Sequence, residues 1–257
     1  MGQYEIDLGR VKSYPYYLKK IKNQTYEMCM VAVEKWGLAI QFVVWDDLNL
    51  SKEKLNKLCL KSVKKDGYAL EYLNWNELTN KLSENQIEKI CIEAVRKNPW
   101  ALRYVKFEYL SKEQTEEICL EAVKQNGGVL KYVKEQTEEI CLEAVKQAGY
   151  ALKYVRVQTD EICREALKQD GFAIKFIDMK EKYLKEFNIK YLEPQGDISE
   201  VIAINKNGQW LFAIDYKIDM IRKDFIDYIH VIIKDLNLEK GIDTYNQVYF
   251  DFLEQLN

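Results

Sequence analysis

The 257 residues are 47% apolar and 31% charged, with a formal charge of -3, which is the composition of a folded globular chain and not of a disordered one. So small a net charge supplies no global field to recruit nucleic acid or anionic lipid, and no apolar run approaches the length of a membrane span. The first ten residues hold no apolar signal core, and Ile6 stands where a myristoylation motif needs Ser or Thr, so a cytoplasmic chain is expected.

Near the N-terminus, the stretch Pro15-Tyr16-Tyr17-Leu18-Lys19-Lys20-Ile21 aligns with Pro99 to Val105 farther on. Residues 1–23 therefore read as an N-terminal segment with a half-repeat that covers one open end of a stack. Residues 24–178 read as six helical-pair repeats. Gln114 to Cys119 is nearly copied at Gln136 to Cys141 and at Gln158 to Cys163, a spacing of 22 residues that falls in the range of solenoid repeats. With the cysteine as origin, the register runs back to Cys91, Cys59 and Cys29, so all six cysteines share one repeat position. Eight residues later stand Gly37, Gly67, Pro99, Gly127, Gly149 and Gly171. Ile40, Leu70, Leu102, Leu130, Leu152 and Ile174 follow at eleven, and Val43, Leu73, Val105, Val133, Val155 and Ile177 at fourteen.

The spacing predicts two helices per copy. Ile140, Cys141, Leu142, Ala144 and Val145 fall on one arc of a 3.6-residue wheel, with Glu139, Glu143 and Lys146 opposite. Gly149 then reads as the left-handed residue that ends this helix, and Tyr150 to Val155 as a shorter second helix. The first three copies are longer, with cysteine spacings of 30, 32 and 28. Their insertions carry Trp45, Trp75, Phe107 and Tyr109 and end in Leu50-Ser51, Leu82-Ser83 and Leu110-Ser111. Those serines read as N-caps, with Gln86 and Gln114 completing capping boxes, and Leu50 with Leu55 and Leu82 with Ile87 as hydrophobic staples. Insertions at one point of a repeat emerge on one edge of a solenoid, often its binding edge.

Residues 179–257 read as a small α+β domain. Glu200 to Asn205 and Gln209 to Asp215 alternate like strands around the turn signal Lys206-Asn207-Gly208. Asn188 to Glu193 is a third candidate strand, and helices are expected over Ile221 to Leu236 and over Thr244 to Leu256, the second started by Asp243. The expected fold is mainly α: an α-solenoid of about six helix-pair repeats with a small C-terminal α+β cap containing a β-hairpin.

A unit such as Glu138 to Gln147 followed by Gly149 to Val155 resembles a family of short repeats catalogued as a domain of unknown function, found in arrays in bacterial and viral proteins. The resemblance covers roughly Gln24 to Ile177 and lies in an A-V-x-x-x-G-x-A-L-x-x-V core. Copies one and two depart from it: Val31 and Lys61 stand where later copies have glutamate, and Ser62 replaces the alanine. The resemblance implies the fold and brings no catalytic residues.

Little in the chain calls for chemistry. No cysteine lies in a C-x-x-C pair, and the single histidine, His230, lies far along the chain from all of them, so zinc spacing is absent. The cysteines read as small, soft core residues where helices pack, and His230 as a structural or surface residue without a nucleophile beside it. There is no phosphate-binding loop. No enzyme activity, cofactor or metal is expected.

Aromatic rings recur thirteen residues after each cysteine (Phe42, Tyr72, Tyr104, Tyr132, Tyr154, Phe176) and at nine (Tyr68, Trp100, Tyr150, Phe172), beside Arg103, Lys131, Lys153 and Lys175. The helical wheel puts most of these rings in the core. Were they exposed, aromatics beside cations could read single-stranded RNA, although Gln114 to Ile177 holds eleven acids against nine bases. The favoured expectation is a protein-binding adaptor or inhibitor, a phage-type antagonist of a nuclease or defence protein being one form. Trp36, Trp45, Trp75, Trp100 and Tyr109 are its candidate anchors. RNA or single-stranded nucleic-acid binding along Arg103, Lys131, Lys153 and Lys175 is the alternative, and no membrane partner is expected.

Overall fold

Each repeat pairs a long α-helix with a short one, and the register set by the cysteines is the register of the structure. The computed structural model describes residues 2–215, 217–235 and 242–256. The long helices are Tyr26–Lys35, Lys52–Lys65, Glu84–Lys97, Lys112–Gln125, Glu138–Gln147 and Asp160–Gln169. The short ones are Gly37–Phe42, Gly67–Tyr72, Pro99–Tyr104, Gly127–Tyr132, Gly149–Tyr154 and Gly171–Phe176. The chain divides into two compact units, residues 1–147 and 148–257.

In the first unit, successive long helices pack side by side and so do successive short ones. The helix Pro15–Lys20 takes the place of a short helix ahead of the first repeat, and a further helix, Gln3–Ser13, precedes it. The caps act as the sequence implies. Ser51 accepts from the Lys54 N–H, while Ser83 with Gln86 and Ser111 with Gln114 form capping boxes. Leu50, Leu55, Leu82 and Ile87 are all buried. The insertions are the helix Trp45–Leu48, the helix Trp75–Lys81 and the single turn Phe107–Tyr109.

The short helices depart from expectation in type: all six are 3-10 helices. The residue before each is extended, as at Asp66 (φ -149°, ψ 117°) and Asn98 (φ -155°, ψ 110°). Asp66, Asn98, Asn126 and Asp170 each accept from the N–H two residues on, a local bond that draws the chain out of the long helix. Six residues bonded i to i+3, as in Ala69 N to Asp66 O and Ala101 N to Asn98 O, then form a tight helix longer than the usual 3-10 run of three to four residues.

The repeated glycine also has a different task from the one expected. Positive φ at glycine occurs, among the described residues, only at Gly196 and Gly208, so no repeat glycine is a left-handed cap. Space is the reason instead. A Cβ on Gly37 would lie 2.7 Å from the Ser62 carbonyl, one on Gly67 2.4 Å from that of Ala94, and one on Gly149 2.7 Å from that of Ala166. Each glycine is where the next repeat's long helix presses onto the short one. The contact is polar as well: Gln147 Oε1 accepts from the Gly127 N–H at 2.6 Å, and Gln169 Oε1 from that of Gly149 at 2.5 Å.

The cysteines are buried in all six copies, and none is in a disulfide. Burial pushes the thiols of Cys29, Cys91 and Cys119 up to about 12, so they are neutral at pH 7. Cys29, Cys141 and Cys163 each point the thiol at a glutamine five residues earlier, at 3.7–3.8 Å. Gln24 and Gln158 in turn donate to the carbonyls of Phe42 and Phe176 at the ends of the short helices.

In the second unit, β1 (Ile189–Leu192), β2 (Val201–Lys206), β3 (Gln209–Ile214) and β4 (Lys217–Ile221) form an antiparallel sheet in the order β1-β2-β3-β4. Asn207 (φ 56°) and Gly208 (φ 86°) make the β2–β3 turn. The strand β4 was not legible beforehand; the chain turns into it through Asp215 at φ 54° without an Asn-Gly signal. One sheet face, with Val201, Ala203, Phe212, Ile214 and Met220, packs with Phe225 and Ile229 of the helix Arg222–Asp235 and with Tyr249, Phe252 and Leu253 of Ile242–Glu254. Leu236, the expected end of the first tail helix, lies outside the described residues. On β2, Ile204 meets Gly171, whose Cβ would stand 3.0 Å from its Cγ2. The sheet thus covers the last short helix where earlier repeats have another helix, so the fold is mainly α with a small α+β cap.

Candidate functional site

The rings of the short helices are half-buried or exposed, not core. The 3.6-residue wheel misplaced them. At three residues per turn, the positions eleven and fourteen after the cysteine stack inward, and those at nine and twelve face out together. The buried residues confirm the inward set: Leu70, Leu73, Leu102, Val105, Leu130 and Val133.

In the first unit the rings pair between neighbours in a regular way. The ring at nine of one copy meets the ring at thirteen of the next, edge to face: Tyr68 with Tyr104 at 6.2 Å and 84°, Trp100 with Tyr132 at 6.2 Å and 82°. Tyr16 of the half-repeat meets Phe42 in the same way at 5.0 Å and 80°. A cation lies over each pair. The Arg103 guanidinium is 5.3 Å from the Tyr68 centroid and 4.6 Å from that of Tyr104. Lys131 is 4.9 Å from both Trp100 and Tyr132. Hydrogen bonding to the Tyr132 and Tyr104 phenols raises the Arg103 pKa above its ordinary value.

Lys19 completes the series over Tyr16 and Phe42 at 5.6 and 5.9 Å. Sequence reasoning missed it, although its place after Pro15 is that of Arg103 after Pro99. In the second unit, Lys153 lies over Tyr150 and Tyr154 at 5.4 and 4.7 Å. Lys175 differs: it is paired at 3.5 Å with Glu200, the residue before β2, so it is not an open cation and leaves the expected row of four.

The tryptophans and Tyr109 do not form one cluster. Trp36 stands between the two helices of the first repeat, 5.9 Å from Phe42. Trp100 belongs to the ring pairs beneath Lys131. Trp45 and Trp75 begin two insertion helices and are half-buried. Only Trp75 and Tyr109 come together, stacked at 6.2 Å and 18°, which joins the insertions of the second and third repeats. Beside Tyr109 lies a groove of about 390 Å³ bounded by Thr79, Leu82, Ile87 and Leu110, with Glu84 and Glu108 on its rim. A second concavity, about 480 Å³ in the second unit, lies between Tyr150, Phe172, Phe187, Ile204 and Ile218.

Among the described residues, no group of three His, Cys, Asp or Glu side chains could hold a metal ion, and no helix is long and apolar enough to cross a membrane. Residues 56–113, 87–136, 115–159 and 137–181 each match the family model described as Domain of unknown function (DUF4116). The matched span starts within the second copy, and the first copy, whose Val31 departs from the later glutamates, lies outside it. No curated protein and no solved structure matches the chain.

Proposed function

We propose, from the premise that residues 56–181 are repeats of the DUF4116 family, that the chain is a non-enzymatic scaffold that binds a protein partner as an adaptor or inhibitor. The observation that carries this reading is the Trp75–Tyr109 stack beside its groove. Tyr109 is 38% exposed, and its ring is already held by Trp75, so a partner would bury it without first ordering it. Large aromatic side chains placed in this way dominate interface energetics. The cytoplasm suits the reading, because six buried cysteines with no disulfide among them fit a reducing medium.

The test is capture of partners from the native lysate by the wild-type chain and by W75A and Y109A, with and without nuclease. The reading expects a stoichiometric protein that survives nuclease with the wild type and is lost from both variants, while their thermal melts match the wild type. Retention of that protein by both variants would refute the insertion edge as its site. The second reading, single-stranded nucleic-acid binding, draws on the cations over the rings at Arg103, Lys131 and Lys153. It expects an affinity that falls steeply as salt rises.

A further inference from the structure

We propose that Arg103 and Lys131 together form a carboxylate site, and that its ligand is an extended acidic segment of a protein partner. The proposal rests on the protein-partner reading but uses the short-helix face, not the Trp75–Tyr109 edge.

The two cations differ from their neighbours in what they meet. On the long helices of the same unit, Lys61 pairs with Glu34, Lys64 with Glu93 and Arg96 with Glu121. Arg103 and Lys131 have no carboxylate in ion-pairing distance among the described residues and lie over ring faces instead. A cation on a ring keeps its charge and most of its N–H donors toward solvent. The ring also restrains a side chain that would otherwise lose rotamer freedom when it is held. An arriving carboxylate therefore finds donors already placed, and charge-assisted bonds of this kind are the stronger class.

The surroundings choose among anions. In each pair of Tyr68 with Tyr104 and Trp100 with Tyr132 the rings meet edge to face and one cation lies over both, so a base would have to displace that cation to stack on the face it covers. The positive run also stops at Arg103 on one side. Position twelve is Glu71 in the second repeat and Gln41 in the first, so a long polyanion would meet a carboxylate one repeat beyond Arg103. A short acidic segment fits this pair, where a long polyanion would run onto Glu71. Both cations are within hydrogen-bonding reach of the Tyr132 phenol, so their charges converge and one carboxylate can meet both, with a second acid on the same segment adding to the attraction.

The experiment is fluorescence anisotropy with the full chain in 50 mM salt. The probes are labelled peptides of sequence Gly-Glu-Gly-Gly-Glu-Gly and Gly-Gln-Gly-Gly-Gln-Gly, and a labelled hexauridylate. The glutamate peptide should bind at submillimolar concentration and the glutamine peptide should not. The doubly substituted R103Q/K131Q chain should bind the glutamate peptide at least tenfold more weakly. K131M, which keeps the aliphatic stem on the ring, should lose binding with no change in thermal melt, and W75A should bind as the wild type does. Equal binding by R103Q/K131Q, no binding of the glutamate peptide at 1 mM, or tighter binding of hexauridylate would each overturn the proposal. If R103Q/K131Q still recovers the nuclease-resistant partner that W75A loses, the protein-partner reading stands and this site falls alone.

Discussion

The glycine eight residues after each cysteine offers the sharpest test of how neighbouring repeats hold together. In Gly67→Ala, the new methyl would sit 2.4 Å from the Ala94 carbonyl oxygen, 2.9 Å from Asn98 Cβ and 3.0 Å from Asn98 N. Ordinary contact begins at 3.4 Å, so the third repeat's long helix must retreat by the difference, 1.0 Å. The obstacles are mostly backbone in a packed helix, and no flexible side-chain end can swing aside. Overpacking of this kind costs about 1–3 kcal/mol. Reduced freedom of the unfolded chain offsets about 0.4–1 kcal/mol of it. For a chain of this size the net loss corresponds to a drop in Tm of roughly 1–8 °C, read by far-ultraviolet circular dichroism. Gly67→Asn separates the two explanations for the glycine. A left-handed position tolerates asparagine better than alanine, whereas a position limited by space tolerates the larger side chain worse. Asparagine should therefore melt below alanine. A Gly67→Ala chain that melts with the wild type, or an asparagine variant that melts above the alanine one, would refute close approach as the reason.

The same change elsewhere should have the opposite sign. Gly9 lies inside the helix Gln3–Ser13 with nothing near a Cβ, so G9A should stabilise by about 0.5–1 kcal/mol, seen as a raised urea midpoint. Gln147→Ala removes the acceptor of the Gly127 N–H and should cost about 1–3 kcal/mol if that group is left unmet, with faster hydrogen exchange at Gly127 as its local signature. Burial raises the pKa of Cys91 to about 12, so the unfolded chain loses this proton first. The stability from that thiol is complete below about pH 8.5 and is lost as the pH rises toward 12. The Tm gap between wild type and C91A should narrow over pH 8.5 to 11, and a constant gap would contradict a buried neutral thiol. Phe225 is fully buried and stacked on Phe212 at 4.5 Å; F225A should cost about 3–5 kcal/mol and lower the melting temperature of the sheet's signal.

What the sequence determined by itself was whatever depends on neighbours along the chain. Helix starts at Ser51, Ser83 and Ser111 follow from capping bonds that span three residues, and the β2–β3 turn from Asn207 and Gly208. The repeat register follows from six cysteines and the apolar positions behind them, because each copy must present the same inward side chains to the next. Contacts between copies were decided only in the tertiary structure. The glycine looked like a helix end until the Ala94 carbonyl stood against Gly67. Tyr68 and Trp100 looked like core until the short helix proved to have three residues per turn. Lys175 matched Arg103 and Lys131 in register, yet the sheet brought Glu200 beside it. Local bonds are written in adjacent residues, whereas the space around a side chain is set by segments 20 to 30 residues away, whose approach no periodicity records.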